Sequence, residues 1–114
     1  TQAKRYGMTA EPEVQTHILQ GSRFAFIAGF SDGIGDVMTD QELVDECRYA
    51  SHPQQAAERI MKYAEDLGAE DNATILCIPL RGWGAIRGED RTALQRRDRR
   101  LNTDIYRNRR NLCL

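Results

Sequence analysis

Hydrophobic and polar positions follow two rhythms along this chain. Residues 13–20, Glu-Val-Gln-Thr-His-Ile-Leu-Gln, alternate as a half-buried strand does, with Val14, Thr16 and Ile18 on one face. Gly21-Ser22 reads as a turn. Residues 23–31 carry Phe24, Phe26, Ile27 and Phe30 and are apolar on both faces, the pattern of a strand covered on both sides. The two segments together predict an antiparallel hairpin. Asp32-Gly33 breaks the second strand, and Thr39-Asp40-Gln41-Glu42 then has the spacing of a capping box, predicting a helix to about Ala50. Pro53 suits the first turn of a second helix. In it Ala56, Ala57, Ile60, Met61, Ala64 and Leu67 recur at helical spacing, with Gly68 placed to end it. Glu70-Asp71-Asn72 reads as a loop, and residues 73–80 as a third buried strand stopped by Pro79.

The order is β-β-α-α-β, an α+β arrangement with helices on the face of an antiparallel sheet. Two helices cover one face of a sheet and not both. A strand apolar on both sides therefore implies that part of the core comes from elsewhere. Beyond Leu80 the character changes. Arg81-Gly82-Trp83-Gly84 reads as a linker, and residues 87–110 carry Leu94, Leu101 and Ile105 at spacings of seven and four. That narrow stripe predicts a solvated, marginal amphipathic helix. The sequence divides into residues 1–80, a domain part, and 81–114, an Arg-rich tail.

Charge sharpens this division. Residues 1–80 hold 6 Lys and Arg against 13 Asp and Glu, while residues 81–114 hold 10 Arg against 4 Asp and Glu. The balances of −7 and +6 together give the formal net charge of −1 for the 114 residues. Such a tail could meet nucleic acid or an acidic partner. Only Trp83 and Tyr106 are there to stack on bases, so nucleic acid is the weaker choice. Uncharged runs such as 24–31 and 73–80 fall far short of the roughly 20 apolar residues of a membrane span. The chain opens on Thr1 and has no basic-then-apolar leader, which reads as a sequence lacking an upstream segment. Cys47, Cys77 and Cys113 lie 30 and 36 residues apart, matching neither a disulfide framework nor a zinc pattern. Free thiols point to a reducing, intracellular setting.

Two carboxylates stand out by placement. Asp32 ends one buried strand and Asp71 lies in the loop entering another. If those strands are antiparallel neighbours, both aspartates converge at one rim, as oxygen ligands of Mg²⁺ or Mn²⁺ must. Each could equally accept backbone hydrogen bonds in an ordinary turn. Other features carry less. Gly33-x-Gly35 is followed by no Gly-Lys-Ser/Thr and so is no phosphate cradle. His17 and His52 read as surface or helix-entry residues, Cys47 and Cys77 as core, and no Ser or Cys has a His partner at a nucleophile's spacing.

The run from Phe26 through Ser31-Asp32-Gly33-Ile34-Gly35-Asp36 to Val37 resembles the strand–SDG–x–x–D signature of the metal-dependent type 2C protein serine/threonine phosphatases. The likeness continues in family order. Glu11-Pro12-Glu13-Val14 resembles the segment before the hairpin, and Thr39-Asp40-Gln41-Glu42-Leu43-Val44 the S/T-x-x-E helix start. Residues 54–67 are similar to the P-x-x-A-A-x-x-L helix, and residues 68–76 to the G-S-x-D-N-x-T segment entering the last strand. Together these span roughly residues 7–80. The resemblance implies a piece of an α/β sandwich that hydrolyses phosphoserine or phosphothreonine in phosphoproteins, using paired Mg²⁺ or Mn²⁺ ions and an activated water. It implies that Asp32 and Asp71 hold one metal of the pair and that Asp36 helps to bind an additional, weaker one.

The sequence departs from the family in lacking D-G-H-G-G, with its bridging aspartate, a further acidic ligand and a phosphate-binding Arg. Gly35 stands where many members have Trp, and Gly29-Phe30 differs from the common approach to the motif. The chain thus resembles a C-terminal half that needs an N-terminal half as partner and is inactive alone. The alternative is a non-catalytic binding or regulatory module derived from such a phosphatase. A cytoplasmic location is the first expectation. The loose similarity of Gly82-Trp83-Gly84 and the basic extension to fungal mitochondrial-type members makes a mitochondrial one the alternative.

Overall fold

The computed structural model describes residues 7–69, 72–85 and 88–112, with side chains as far as Asp104. Strand β1 (Phe26–Phe30) and strand β2 (Ile75–Pro79) form a two-stranded antiparallel sheet in the register Phe26↔Pro79, Ala28↔Cys77 and Phe30↔Ile75. Between them come a one-turn helix α1 (Asp32–Gly35), helix α2 (Asp40–Arg48) and helix α3 (Pro53–Asp66). A 20-residue helix α4 (Ala93–Leu112) follows β2. The mixed α/β class with helices on one face of an antiparallel sheet is as expected.

Local chemistry accounts for the helix starts. Thr39 and Glu42 form the reciprocal box: Thr39 Oγ1 accepts from the Glu42 N–H at 3.2 Å, and Glu42 Oε1 accepts from the Thr39 N–H at 3.0 Å. Pro53 occupies the first position of α3, and His52 Nδ1 accepts from the Gln55 N–H. Gly68, at φ +89°, takes the left-handed turn just past that helix.

The core is built from alternate residues of the strands and one stripe of each helix. Ile34, Met38, Leu43, Cys47, Ala56, Ile60, Tyr63 and Ala64 are buried, with Phe26, Ala28, Ile75 and Cys77 packed against them. Trp83 joins this cluster and meets Phe26 edge to face, with centroids 6.0 Å apart. Residues 81–84 therefore form a turn anchored by its Trp rather than a free linker. Ile27, Leu76 and Ile78 lie on the opposite sheet face, 46%, 59% and 43% exposed. That face is uncovered among the described residues.

Two expected elements differ. The predicted strand over residues 13–20 has no regular structure; Val14 and Ile18 are exposed, and the hairpin with residues 23–31 does not form. Alternation alone cannot hold a strand here, because pairing beside β1 would leave Val14 and Ile18 without an opposing layer. A short 3₁₀ turn (Gly21–Arg23) occupies the predicted reversal. The basic helix is the second difference. It forms, but it is docked and not solvated, for reasons given below.

Candidate metal centre

The end of β1 and the start of β2 meet at one rim, as their antiparallel register requires. Ser31 joins them. Its N–H donates to Thr74 O at 3.0 Å, its Oγ accepts from the Thr74 N–H at 3.0 Å, and its hydroxyl reaches Asn72 O at 3.5 Å. Gly33 eases this approach. A Cβ there would lie 3.0 Å from Asn72 O and 3.2 Å from Ala73 Cα, tighter than ordinary packing, so the facing backbone would have to give by a few tenths of an ångström.

Asp32 is exposed at the first position of α1, and Asp36 is exposed just after its last. Their separation of four places the two carboxylates one helical turn apart on one face. The Asp36 N–H donates to Asp32 O at 2.8 Å and fixes that turn. Asp71, the third expected ligand, lies outside the described residues, though its chain neighbour Asn72 borders the Ser31 turn. Among the described residues no three His, Cys, Asp or Glu side chains converge on one point. Asp32 and Asp36 suit a hard divalent cation in kind, being oxygen donors. They fall short of the six or more oxygens it takes, and water or other chain segments would have to complete the set. An open cleft lined by Phe26, Val44, Cys47, Arg48 and Trp83 sits at the other end of β1 and does not adjoin these aspartates.

The densest electrostatic cluster lies elsewhere, and reading the sequence missed it. Glu42, Asp45 and Glu46 on α2 are almost wholly buried, because α4 covers them with arginines. Arg96, itself buried, pairs through Nε with Glu46 at 3.0 Å and through Nη2 with Asp90 at 2.7 Å. Asp45 Oδ2 accepts from the Thr92 hydroxyl at 2.7 Å and from the Arg91 and Thr92 N–H groups at 3.0 Å each. Arg99 pairs with Glu42, which also accepts the Tyr63 hydroxyl at 2.5 Å. Arg100 lies over the Tyr63 ring at 4.7 Å and pairs with Asp66 at 3.2 Å.

Burial by itself would raise the pKa of Glu42. Hydrogen bonds from Tyr63 and the Thr39 N–H, with the Arg99 charge, hold it below its usual value instead. Asp45 shows the same balance, with burial opposed and outweighed by Thr92, Arg48 and Gln41. The Arg96 hydrogen bond holds Asp90 far below the carboxylate range. At Cys47 burial dominates, with Cys77 and Glu46 adding to it and Arg59 opposing it, and the thiol is pushed up to about 12, a packing residue and no nucleophile. The one signal of this cluster in the sequence was the opposition of charge between the acidic residues of 40–46 and the arginines after Leu80.

The family model described as Protein phosphatase 2C matches residues 1–73. The chain belongs to the protein phosphatase 2C family. It is 41% identical over 81 residues to Protein phosphatase 2C homolog 4 of Schizosaccharomyces pombe, covering 70% of this chain and 21% of that protein. It is 33% identical over 81 residues to Protein phosphatase 1K, mitochondrial, of Xenopus laevis, covering 71% and 22%. To Probable protein phosphatase 2C 45 of Oryza sativa subsp. japonica it is 32% identical over 75 residues, covering 66% and 26%. The chain thus spans between a fifth and about a quarter of the length of these protein phosphatase 2C relatives. No solved structure matches it.

Proposed function

We propose that this chain is the C-terminal part of a Mg²⁺- or Mn²⁺-dependent protein serine/threonine phosphatase, and that it needs an N-terminal half to act. The observation that carries the reading is the clasp of residues 72–74 onto Ser31 and Gly33, in a chain of the protein phosphatase 2C family. That clasp brings Asn72, the chain neighbour of Asp71, to the rim where Asp32 and Asp36 stand. In this reading Asp32 and Asp71 hold one metal and Asp36 contributes to a weaker one. When bound, the metal supplies positive charge to the phosphoryl oxygens and lowers the pKa of water. Asp32, at the start of α1, would help to hold that metal and Asp36, just past its end, the weaker one, while Ser31 fixes the turn and Gly33 gives the two segments room to close. These residues would supply only part of a cation's ligands. A phosphoryl group held from one side is neither oriented nor shielded from bulk water, hence the inactivity of this part alone.

The division at residue 80 belongs to the same proposal, with residues 1–80 as the phosphatase part and 81–114 as an added basic segment. Phosphoproteins are the proposed substrates. Arg96, Arg99 and Arg100 are engaged by carboxylates, which argues against a nucleic-acid role for that segment. The location is proposed as intracellular, either cytoplasmic or, by analogy with the Xenopus relative's name, mitochondrial.

The test fuses this chain to the N-terminal part of the fission-yeast relative and follows Mn²⁺-dependent phosphate release from a phosphothreonine peptide. The fusion is expected to be active and the isolated chain inactive. Asp32→Ala and Asp71→Ala are each expected to reduce activity by at least about 100-fold, since a cation missing a ligand loses both affinity and position. Full activity in either variant removes that residue from the centre.

A further inference from the structure

Helix α4 lies on the body without burying an apolar residue. Among its described side chains Ala93, Leu94 and Leu101 are all exposed, the two leucines by 74% and 50%, and none belongs to the core. What holds it is polar and regularly spaced. Glu42, Asp45 and Glu46 share one face of α2, each within one turn of the next. Arg96, Arg99 and Arg100 repeat the same spacing on α4 in opposite charge. The two triads run in opposite directions, Arg96 meeting Glu46 and Arg99 meeting Glu42. Thr92, just before the first turn of α4, gives its hydroxyl and its N–H to Asp45 and so fixes where the helix begins. Arg100 lies over the Tyr63 ring and pairs with Asp66 of α3.

We propose that this acidic face of α2 is a docking surface for arginine-rich helices, with α4 as its resident occupant and a helix of another protein as its outside partner. The partner opens on a Ser or Thr and presents arginines four, seven and eight residues further on, as Thr92, Arg96, Arg99 and Arg100 do. Charge complementarity selects it, and the kind of contact makes exchange feasible. A helix docked by apolar area loses that whole gain when it leaves. Ion pairs trade water for protein partners, so their net contribution is small, and exchange of one arginine helix for another leaves every carboxylate paired. The obstacle is the tether. A segment joined by a short connection competes at an effective concentration of about a millimolar, so a free helix gains the site only where the hold of α4 is weakened or its own is stronger. The inference stands whether or not the phosphatase reading does.

Fluorescence anisotropy tests it, with a labelled peptide of residues 88–112 as the probe and the 114-residue chain as titrant. The Arg99→Gln/Arg100→Gln chain, whose own helix is held less firmly, should bind the peptide at least about tenfold more tightly than the unaltered chain. Thr92→Ala in the chain removes only the hydroxyl held by Asp45 and should act in the same direction, which guards against a folding defect in the double variant. Adding Glu46→Gln to the weakened chain should reduce binding by at least about tenfold. A peptide carrying Arg96→Gln, Arg99→Gln and Arg100→Gln keeps five arginines and should not bind. Equal affinity for the unaltered and both weakened chains overturns the proposal, as does the absence of binding to any of them. So does equal binding of the altered peptide, which would mean attraction by charge alone, or binding unchanged by Glu46→Gln, which would place the peptide elsewhere.

Discussion

At the scale of single residues, the most constrained position of the candidate centre is a glycine and not an aspartate. Gly33 faces backbone atoms of Asn72 and Ala73, which cannot rotate away as a side-chain tip would. Gly33→Val should force the two segments apart and cost about 1–3 kcal/mol, read from urea unfolding. Gly29, which has open space around it, should accept Ala with little change. The capping residues of α2 were legible in the sequence because their signal is local: Thr39 and Glu42 are three apart and satisfy each other. Asp32 was singled out by its place at the end of a strand, and Asp36 only by the resemblance of its motif. Tyr63 was not. A count of apolar positions passes over a phenol, yet its ring fills the core while its hydroxyl meets Glu42.

Among elements, the instructive case is α4. A helix commonly docks by burying an apolar stripe, and the stripe of α4 is narrow. It docks through arginines, and the α2 carboxylates that Arg96 and Arg99 meet lie 50 and 57 residues away in the chain, beyond the reach of any periodicity. Arg96→Ala takes a guanidinium from buried Glu46, which keeps Arg59 at 3.0 Å, and from partly buried Asp90, so we expect a loss of about 1.5–3 kcal/mol in stability, measured by urea unfolding. Arg97→Ala, on an exposed residue, should stay within about 0.5 kcal/mol. Acid should act like the Arg96 substitution. The folded pKa values of Glu42 and Asp45 lie below their ordinary values of 4.5 and 3.8. The stability they contribute is therefore complete above those values and lost as pH falls through the lower folded ones. The urea unfolding midpoint, steady from neutral pH down to about 5, should drop as pH falls below about 4.

As a whole the molecule is a slab, 52 × 48 × 21 Å, with a radius of gyration of 17.8 Å. A compact chain of this length would have a radius near 13 Å. The thin axis agrees with a sheet covered on one side only. Ile27 and Ile78 are direct cross-strand partners on the bare side. Replacing them by Lys and Glu sets opposite charges face to face, and should raise the soluble concentration while changing stability by less than about 1 kcal/mol. A smaller effect on solubility would mean that this face is not what limits it.

The docking of α4 also bears on the order of folding. The acidic face of α2 is assembled from neighbours in sequence, whereas α4 must arrive from a distance. Attraction between the two is felt over about a Debye length, roughly 8 Å in physiological salt, before any contact forms. Added salt should therefore slow the arrival of α4 far more than its departure, since the finished pairs exclude the screening ions. A helix held by its charged side in this way has its assembly rate set by the ionic strength of the solution around it.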